Sequence, residues 1–212
     1  MTTIIFLNGE IGDYPAAGKL LTGDDFIIAA DGGARHCKAL GLTPQVLVGD
    51  MDSLADEEVQ SFERLGVEVL RYHADKDETD FELALRYAYE KGLMDVLILG
   101  AYGGRIDQSW ANFLLPAFTQ FQGMQIRFWI DGQWVFPVLN RLEIEAPVGS
   151  TVSLIPLGGD ARGISTQGLA WRLDNENLLF GSSRGVSNRM AAAKASVRLR
   201  EGMLLCFVIN QD

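Results

Sequence analysis

The sequence predicts a chain in two parts, an α/β domain on a mostly parallel sheet followed by an all-β half. Three observations carry this. Up to about residue 131, short apolar runs alternate with amphipathic stretches, the rhythm of strands joined by crossover helices. After Gly132 short strand-like runs follow one another, with turn residues such as Pro147-Val148-Gly149 and Gly158-Gly159-Asp160 between them. The chain has 212 residues, 48% hydrophobic and 22% charged, enough for one large domain or two modest ones with buried cores. The boundary is expected near Gly132, giving parts 1–131 and 132–212.

In the first part the expected strands are Thr3–Leu7, Phe26–Ala30, Val46–Val48, Val67–Leu70, Val96–Leu99 and Ile126–Ile130. Helices are expected near Ala16–Leu21, Ala34–Leu40, Asp56–Leu65, Thr79–Lys91 and Ser109–Phe121. The helix at Thr79 has the strongest signal. Thr79 and Glu82 stand at capping-box spacing, and Phe81, Ala84, Leu85 and Ala88 repeat on one face. In the last helix Trp110, Phe113, Leu114 and Ala117 share a face, and Pro116 should kink it or end it early. In the second part the expected strands are Trp134–Leu139, Leu142–Ile144, Val152–Ile155, Ala170–Leu173, Ser196–Leu199 and Leu204–Ile209, an antiparallel sandwich or barrel.

Composition removes several classes of function. A formal net charge of −10 repels phosphate backbones and anionic lipid, so neither nucleic acid nor membrane is an expected partner. Cys37 and Cys206 are far apart and form no metal-ligand pattern, as in a reduced cytosolic protein. The segment Met1–Asn8 lacks a basic leader region, and no apolar run approaches the ~20 residues that span a bilayer. These features predict a cytoplasmic location.

Nucleotide motifs of the common kinds are missing. Gly12 to Lys19 has five residues between its glycines where a phosphate loop needs four, and Leu20 replaces the Ser or Thr. No G-x-G-x-x-G occurs, which removes the main support for hydride chemistry. His36 and His73 are isolated, and His36, on an expected helix, reads as a packing or surface residue rather than a base.

The chemistry lies where the strands end, since ligands of open α/β sheets sit beyond the carboxyl ends of the strands. Phe26–Ala30 runs into Asp31-Gly32-Gly33, and Val46–Val48 into Gly49-Asp50-Met51-Asp52-Ser53. Val67–Leu70 is followed by Lys76-Asp77-Glu78-Thr79-Asp80, and Val96–Leu99 by Gly103-Gly104-Arg105-Ile106-Asp107. Each loop alone has a plain reading: Asp-Gly-Gly as a turn, Asp50 and Asp52 or Asp80 as acids at a helix start. Together they put carboxylates on one rim beside Lys76 and Arg105, and like charges crowd only around something cationic. Hard oxygen ligands suit Mg²⁺, which takes one or two carboxylates and shares substrate phosphates, and glycine amides approach phosphate closely. The pattern is that of a metal–phosphate site.

These loops resemble the successive signatures of the thiamin pyrophosphokinase family. Asp31-Gly32-Gly33-Ala34, Gly49-Asp50-Met51-Asp52-Ser53, Lys76-Asp77-x-Thr79-Asp80 and Gly103-Gly104-Arg105-x-Asp107-Gln108 occur in the family's order. Gly168-Leu169-x-Trp171 and Gly185-Val186-Ser187-Asn188 resemble its thiamin-binding domain. Met51 stands where many members have Phe, and Gln108, which does not titrate, where many bacterial members have His.

The resemblance implies a Rossmann-like α/β ATP-binding catalytic domain over 1–131, a β-sandwich thiamin-binding domain over 132–212, and a homodimer with active sites between subunits. It implies that Asp50, Asp52 and Asp80 gather Mg²⁺, with Lys76 and Arg105 completing the catalytic set. Asp31, Gly32, Gly33, Ser53, Thr79, Gly103, Gly104, Arg105 and Asp107 would meet ATP, the co-substrate. Lys76, Asp107, Gln108, Trp171, Ser187 and Asn188 would serve thiamin. Read from the residues alone, Trp171 fits a sandwich core equally well, and Ser187-Asn188 a turn. A pyrophosphokinase for a pterin or another hydroxymethyl heterocycle, a non-catalytic nucleotide-binding module and a metal-dependent phosphohydrolase remain as rival readings.

Overall fold

A computed structural model describes residues 1–210. Its contacts divide the chain into two compact units, Met1–Asp131 and a second unit that begins at Gly132.

The first unit is an α/β structure, as its rhythm predicts. Its strands are β1 (Thr3–Phe6), β2 (Phe26–Ala30), β3 (Val46–Gly49), β4 (Glu68–Arg71), β5 (Asp95–Leu99) and β6 (Gln125–Ile130). The helices are α1 (Tyr14–Gly18), α2 (Ala34–Ala39), α3 (Asp56–Arg64), α4 (Asp80–Glu90) and α5 (Ile106–Leu114). All six strands pair in parallel, in the order β6-β5-β1-β2-β3-β4. The inner strands are continuous apolar runs because helices cover both faces of such a sheet. Ile4, Ile5, Phe6, Ile98 and Leu99 are fully buried. Sequential strands run outward from β1 to β4, and β5 then returns to the other side of β1. That reversal leaves a crevice beyond the carboxyl ends of β1 and β5, where doubly wound sheets take their ligands.

Helix α4 buries Phe81, Leu83, Ala84, Leu85 and Ala88 and thereby fixes Asp80 at its first turn. Thr79 Oγ1 accepts the Glu82 amide at 3.2 Å, so one half of the expected capping box is present. Glu82 instead reaches Arg86, at 3.4 Å. Helix α5 starts at Ile106, three residues before the expected Ser109, and ends at Leu114. Pro116 lies in the 3-10 turn Leu115–Ala117 that follows, in keeping with its missing amide. Helix α1 also starts early, because Asp13 caps it by accepting the Ala16 amide at 2.8 Å.

The second unit is a β-sandwich of two antiparallel sheets. Its strands are β7 (Gln133–Val138), β8 (Arg141–Glu145), β9 (Thr151–Pro156), β10 (Ala161–Gln167), β11 (Glu176–Leu178), β12 (Asn188–Arg189), β13 (Lys194–Arg198) and β14 (Leu204–Ile209). One sheet runs β12-β9-β14-β7, the other β11-β10-β13-β8. Val152, Leu154, Ile164, Val197 and Leu204 belong to the core that they enclose.

The expected strand at Ala170–Leu173 is a loop, while β10 was not expected. Strand β10 hides because its register shifts between Ala161 and Ile164, with Gly163 at φ 65°, so strict alternation fails. The buried Thr166 adds a polar residue on its inner face. The loop is tied back to it: Thr166 N–H donates to Leu173 O at 2.9 Å, and Leu173 N–H to Thr166 Oγ1 at 2.9 Å. Strands β11 and β12 are too short to leave a period. Among the described residues, no helix is long and apolar enough to cross a membrane.

The reassignment gives a direct stability test. Ile164→Ala opens a cavity in a closed core and should cost about 2–5 kcal/mol in urea unfolding. Trp171→Ala, at a side chain 60% exposed, should stay within about 0.5 kcal/mol of the parent protein. A reversed order of these two effects would return the buried strand to the 170–173 segment.

Candidate active site

The carboxylates of Asp31, Asp50 and Asp80 each offer an oxygen, and these oxygens lie within 4.8 Å of one another. Each comes from a different loop at the carboxyl edge of the sheet. Asp31 follows β2 directly in a 3-10 turn with φ 43° and is almost fully buried. Glycines permit the approach. A Cβ at Gly49, where φ is 148°, would stand 3.0 Å from Asp31 Cβ and 3.2 Å from Asp80 Oδ1. At Gly33 it would lie 2.1 Å from the Phe6 carbonyl oxygen, and at Gly32 2.2 Å from Asn8 Oδ1. Any side chain there would displace backbone or a neighbouring loop.

Lys76 supplies the local cation. Its Nζ lies 2.7 Å from Asp80 Oδ1 and 3.9 Å from Asp50 Oδ2, with the side chain mostly buried. Burial pushes the Asp80 carboxyl above its ordinary value, and the negative charges of Asp31 and Asp50 push the same way, while Lys76 pulls against them.

Asp52 stands outside this group, and Asp31 stands in the third place that the resemblance implies for Asp52. The reason is local. Asp50 Oδ1 accepts the amide of Asp52 at 3.1 Å, and Met51 buries its side chain at φ 66°. The turn leaves Asp52 exposed, accepting the Ser53 hydroxyl at 3.1 Å. Ser53 in turn donates its amide to Asp31 Oδ1 at 3.4 Å, which ties the second loop to the first.

Asp80 also lines a cleft of about 260 Å³ at the crevice between β1 and β5. Of the expected residues, Thr79, Gly103, Gly104, Arg105 and Gln108 line it too. Gly103 and Gly104 have φ of 111° and 67°, a conformation that favours glycine. Arg105 is exposed and forks onto its neighbour Asp107, with Nε 3.1 Å from Oδ1. Asp107 itself is not among the lining residues, and its carboxylate holds the Arg105 guanidinium.

Asn8, Gly9, Ser109 and Asn112 also line the cleft and were not expected. Asn8 and Gly9 follow the first strand, so the strand-end rule applied to β1 would have found them. Ser109 Oγ accepts the Gly103 amide at 3.3 Å, and Asn112 Nδ2 donates to the Ala101 carbonyl at 2.9 Å. Both brace the glycine loop from α5, one turn apart, and nothing in their sequence context marks that role.

In the second unit Leu154, Trp171, Arg172, Val186 and Asn188 line a hollow of about 280 Å³. Asn188 clamps the backbone of Trp171: its Oδ1 accepts the Trp171 amide at 3.0 Å and its Nδ2 donates to the Trp171 carbonyl at 2.7 Å. The indole is exposed, so Trp171 is not a core residue. Ser187, at φ 66°, donates its amide to Ser153 Oγ at 3.0 Å and does not line the hollow.

A family model described as the thiamin pyrophosphokinase catalytic domain matches residues 17–128, and one described as the vitamin B1 binding domain matches residues 140–204. Thiamine pyrophosphokinase 1 of Oryza sativa subsp. japonica is 30% identical over 156 residues, which cover 68% of this chain and 58% of the rice protein. The alignment thus spans less than two thirds of that relative. Thiamine pyrophosphokinase of Bacillus subtilis is 29% identical over 182 residues, 84% of each chain. In fold, the chain superposes on a crystal structure of the Bacillus subtilis thiamine pyrophosphokinase with a TM-score of 0.87 at 23% identity, covering all of both chains. It superposes on the yeast thiamin pyrophosphokinase with a TM-score of 0.75 at 18% identity, covering 98% of this chain and 86% of the yeast one. With both of its family models matched in order along one chain, the protein belongs to the thiamin pyrophosphokinase family.

Proposed function

We propose that this chain transfers the pyrophosphoryl group of ATP to the hydroxyl of thiamin, with Mg²⁺ held by Asp31, Asp50 and Asp80. The observation that carries this reading is the convergence of those three carboxylates beside a glycine-lined cleft that shares Asp80 with them. Three hard oxygen donors fit a small divalent cation that keeps other positions for phosphate and water. When bound, Mg²⁺ supplies charge neutralisation for the phosphates.

The chain's own groups do the remaining work. In the transfer, the thiamin oxygen bonds to the β-phosphorus as its hydroxyl proton passes to one of the rim aspartates, the bond to the α–β bridging oxygen breaks, and AMP leaves with that oxygen. Such transfers depend on positioning and charge stabilisation more than on covalent help. Lys76, between Asp50 and Asp80, is placed to take phosphate charge, and Arg105 exchanges Asp107 for phosphate at the cleft rim. The amide of Gly104, with the first turn of α4 at Thr79, offers donors to phosphate oxygens, while the Gly103 amide is taken by Ser109 Oγ. Gln108 lines the same rim without titrating, and Asp52 and Ser53 brace the loop that presents Asp50. Trp171 offers a flat apolar face to thiamin, with Asn188 and Ser187 beside it, in a homodimer whose active sites lie between subunits. The family relationship favours thiamin over a pterin as acceptor. AMP release measured with thiamin, with a hydroxymethylpterin and with neither separates the readings, and AMP that does not depend on thiamin would sink the proposal.

Substitution of the carboxylates tests the metal set. Asp31→Asn, Asp50→Asn and Asp80→Asn should each lower thiamin-dependent AMP release at saturating Mg²⁺ by at least about a hundredfold. Asp52→Ala should lose less, about tenfold or below. Equal losses for Asp52 and Asp31 would put Asp52 back among the ligands.

Asp80 also predicts a trade of stability for function. A carboxyl raised above its ordinary 3.8 in the folded chain stabilises the fold below that value and loses this contribution as pH rises through the folded value. Asp80→Asn removes that dependence. The difference in melting temperature, variant minus parent, should therefore increase from pH 3.8 toward neutrality while turnover is lost. A difference that shrinks with rising pH would show that Lys76, not burial, dominates the carboxyl.

A further inference from the structure

His36 is a buried titratable group that the transfer chemistry does not use, and both of its ring nitrogens are engaged. Nε2 lies 3.0 Å from the Gly9 carbonyl oxygen and Nδ1 lies 2.7 Å from the Tyr14 hydroxyl. A carbonyl only accepts, so the proton is on Nε2, and Nδ1 then accepts from Tyr14. Burial, the largest influence, lowers the His36 pKa, which keeps the ring in this neutral form.

The carbonyl that His36 takes belongs to the loop at the cleft floor. Gly9 and Asn8 line the cleft, and Arg35, next to His36 on α2, donates to both of their carbonyls, at 2.6 and 2.8 Å. On the other edge the Gly9 amide donates to Gly100 O at 2.8 Å and the Glu10 amide to Tyr102 O at 2.6 Å. The loops after β1 and β5 are thus zipped together, so closely that a Cβ at Gly9 would fall 2.3 Å from the Gly100 oxygen. A Cβ at Gly100 would fall 3.2 Å from His36 Nε2, so the ring fills the space under the zipper. Tyr14 is itself held in place. Asp13, one residue before it, caps α1, and Asp131 at the end of β6 accepts the Gly12 and Asp13 amides at 2.9 and 3.2 Å.

We propose that His36 is a positioning residue for the nucleotide, holding the Asn8–Gly9 floor of the cleft against the Gly100–Tyr102 strand end through its bond to the Gly9 carbonyl. This rests on the reading of that cleft as the ATP site. With its polar backbone atoms consumed by His36, Arg35 and Gly100, Gly9 presents only its Cα surface to a ligand. The Asn8 side chain is left as the adaptable polar contact on that floor. Loss of the His36 bond leaves the Gly9 carbonyl held by the exposed Arg35 alone, so that it can turn toward the cleft, where it would repel phosphate or ribose oxygens. The defect should fall on nucleotide binding and spare the acceptor.

The test is steady-state AMP release by the full chain with ATP and thiamin varied in turn. His36→Leu should raise KM for ATP roughly tenfold, with kcat within about threefold and KM for thiamin unchanged. His36→Gln, whose amide can donate where Nε2 does, should recover most of that loss. Tyr14→Phe should shift KM for ATP in the same direction by a few-fold. A merely structural role predicts a lower active fraction with both KM values unchanged, and that result would overturn the proposal. Should His36→Leu fail to fold, unchanged KM for ATP in both His36→Gln and Tyr14→Phe would overturn it equally. If the parent protein releases no thiamin-dependent AMP, the functional reading fails before any variant is compared. Titration with a non-hydrolysable ATP analogue then decides: weaker binding by His36→Leu upholds the role, and equal or absent binding in parent and variant removes it.

Discussion

Asp31, Asp50 and Asp80 place three carboxylate oxygens within 4.8 Å of one another at the edge of a buried parallel sheet. Carboxylates so close repel, and the surrounding structure is built to hold them there. Gly49 leaves room for Asp31 and Asp80, and the left-handed turn at Asp31 starts that residue directly from its strand. Lys76 offsets part of the charge in an environment where burial raises the Asp80 carboxyl. Carboxylates held in this way store repulsion that a divalent cation, in the proposed reading, would relieve.

The rigidity behind it comes from the sheet. Strands β1, β2, β3 and β5 are buried on both faces, so their ends are fixed points from which the loops depart. The reversal of strand order between β1 and β5 opens the cleft, and the two flanking loops close its floor by backbone pairing rather than by side chains. His36 and Arg35 saturate the remaining carbonyls of that floor. In the proposed reading, phosphate positioning would depend on this backbone geometry supported from beneath, which loops alone do not supply.

The second unit solves a different problem. A hollow for an organic ring needs an apolar face that stays exposed without collapsing onto the core. Trp171 is held at its backbone by both ends of the Asn188 amide, so the indole can stand in solvent on a fixed base. The inner faces of the two sheets, with Val152, Leu154, Ile164 and Val197, carry the stability independently of that loop.

The α/β half was legible in the sequence because parallel strands buried on both faces are apolar without interruption, and α4 declares itself by Thr79 and its apolar face. The family was legible too, because Asp-Gly-Gly, Gly-Asp-x-Asp and Lys-Asp-x-Thr-Asp are local patterns. Strand β10 was not, since Gly163 breaks its alternation and Thr166 is a buried polar residue. Which aspartates converge was decided only by the tertiary structure. Asp50 and Asp52 are alike in spacing, and the Met51 turn with the Asp50–Asp52 amide bond sends one inward and the other out, while Asp31 arrives from a strand that is distant in sequence. The supporting roles of Asn8, Asn112 and His36 likewise arise from contacts across loops. Local order lies in the chain's own pattern, but convergence is a property of strands brought side by side.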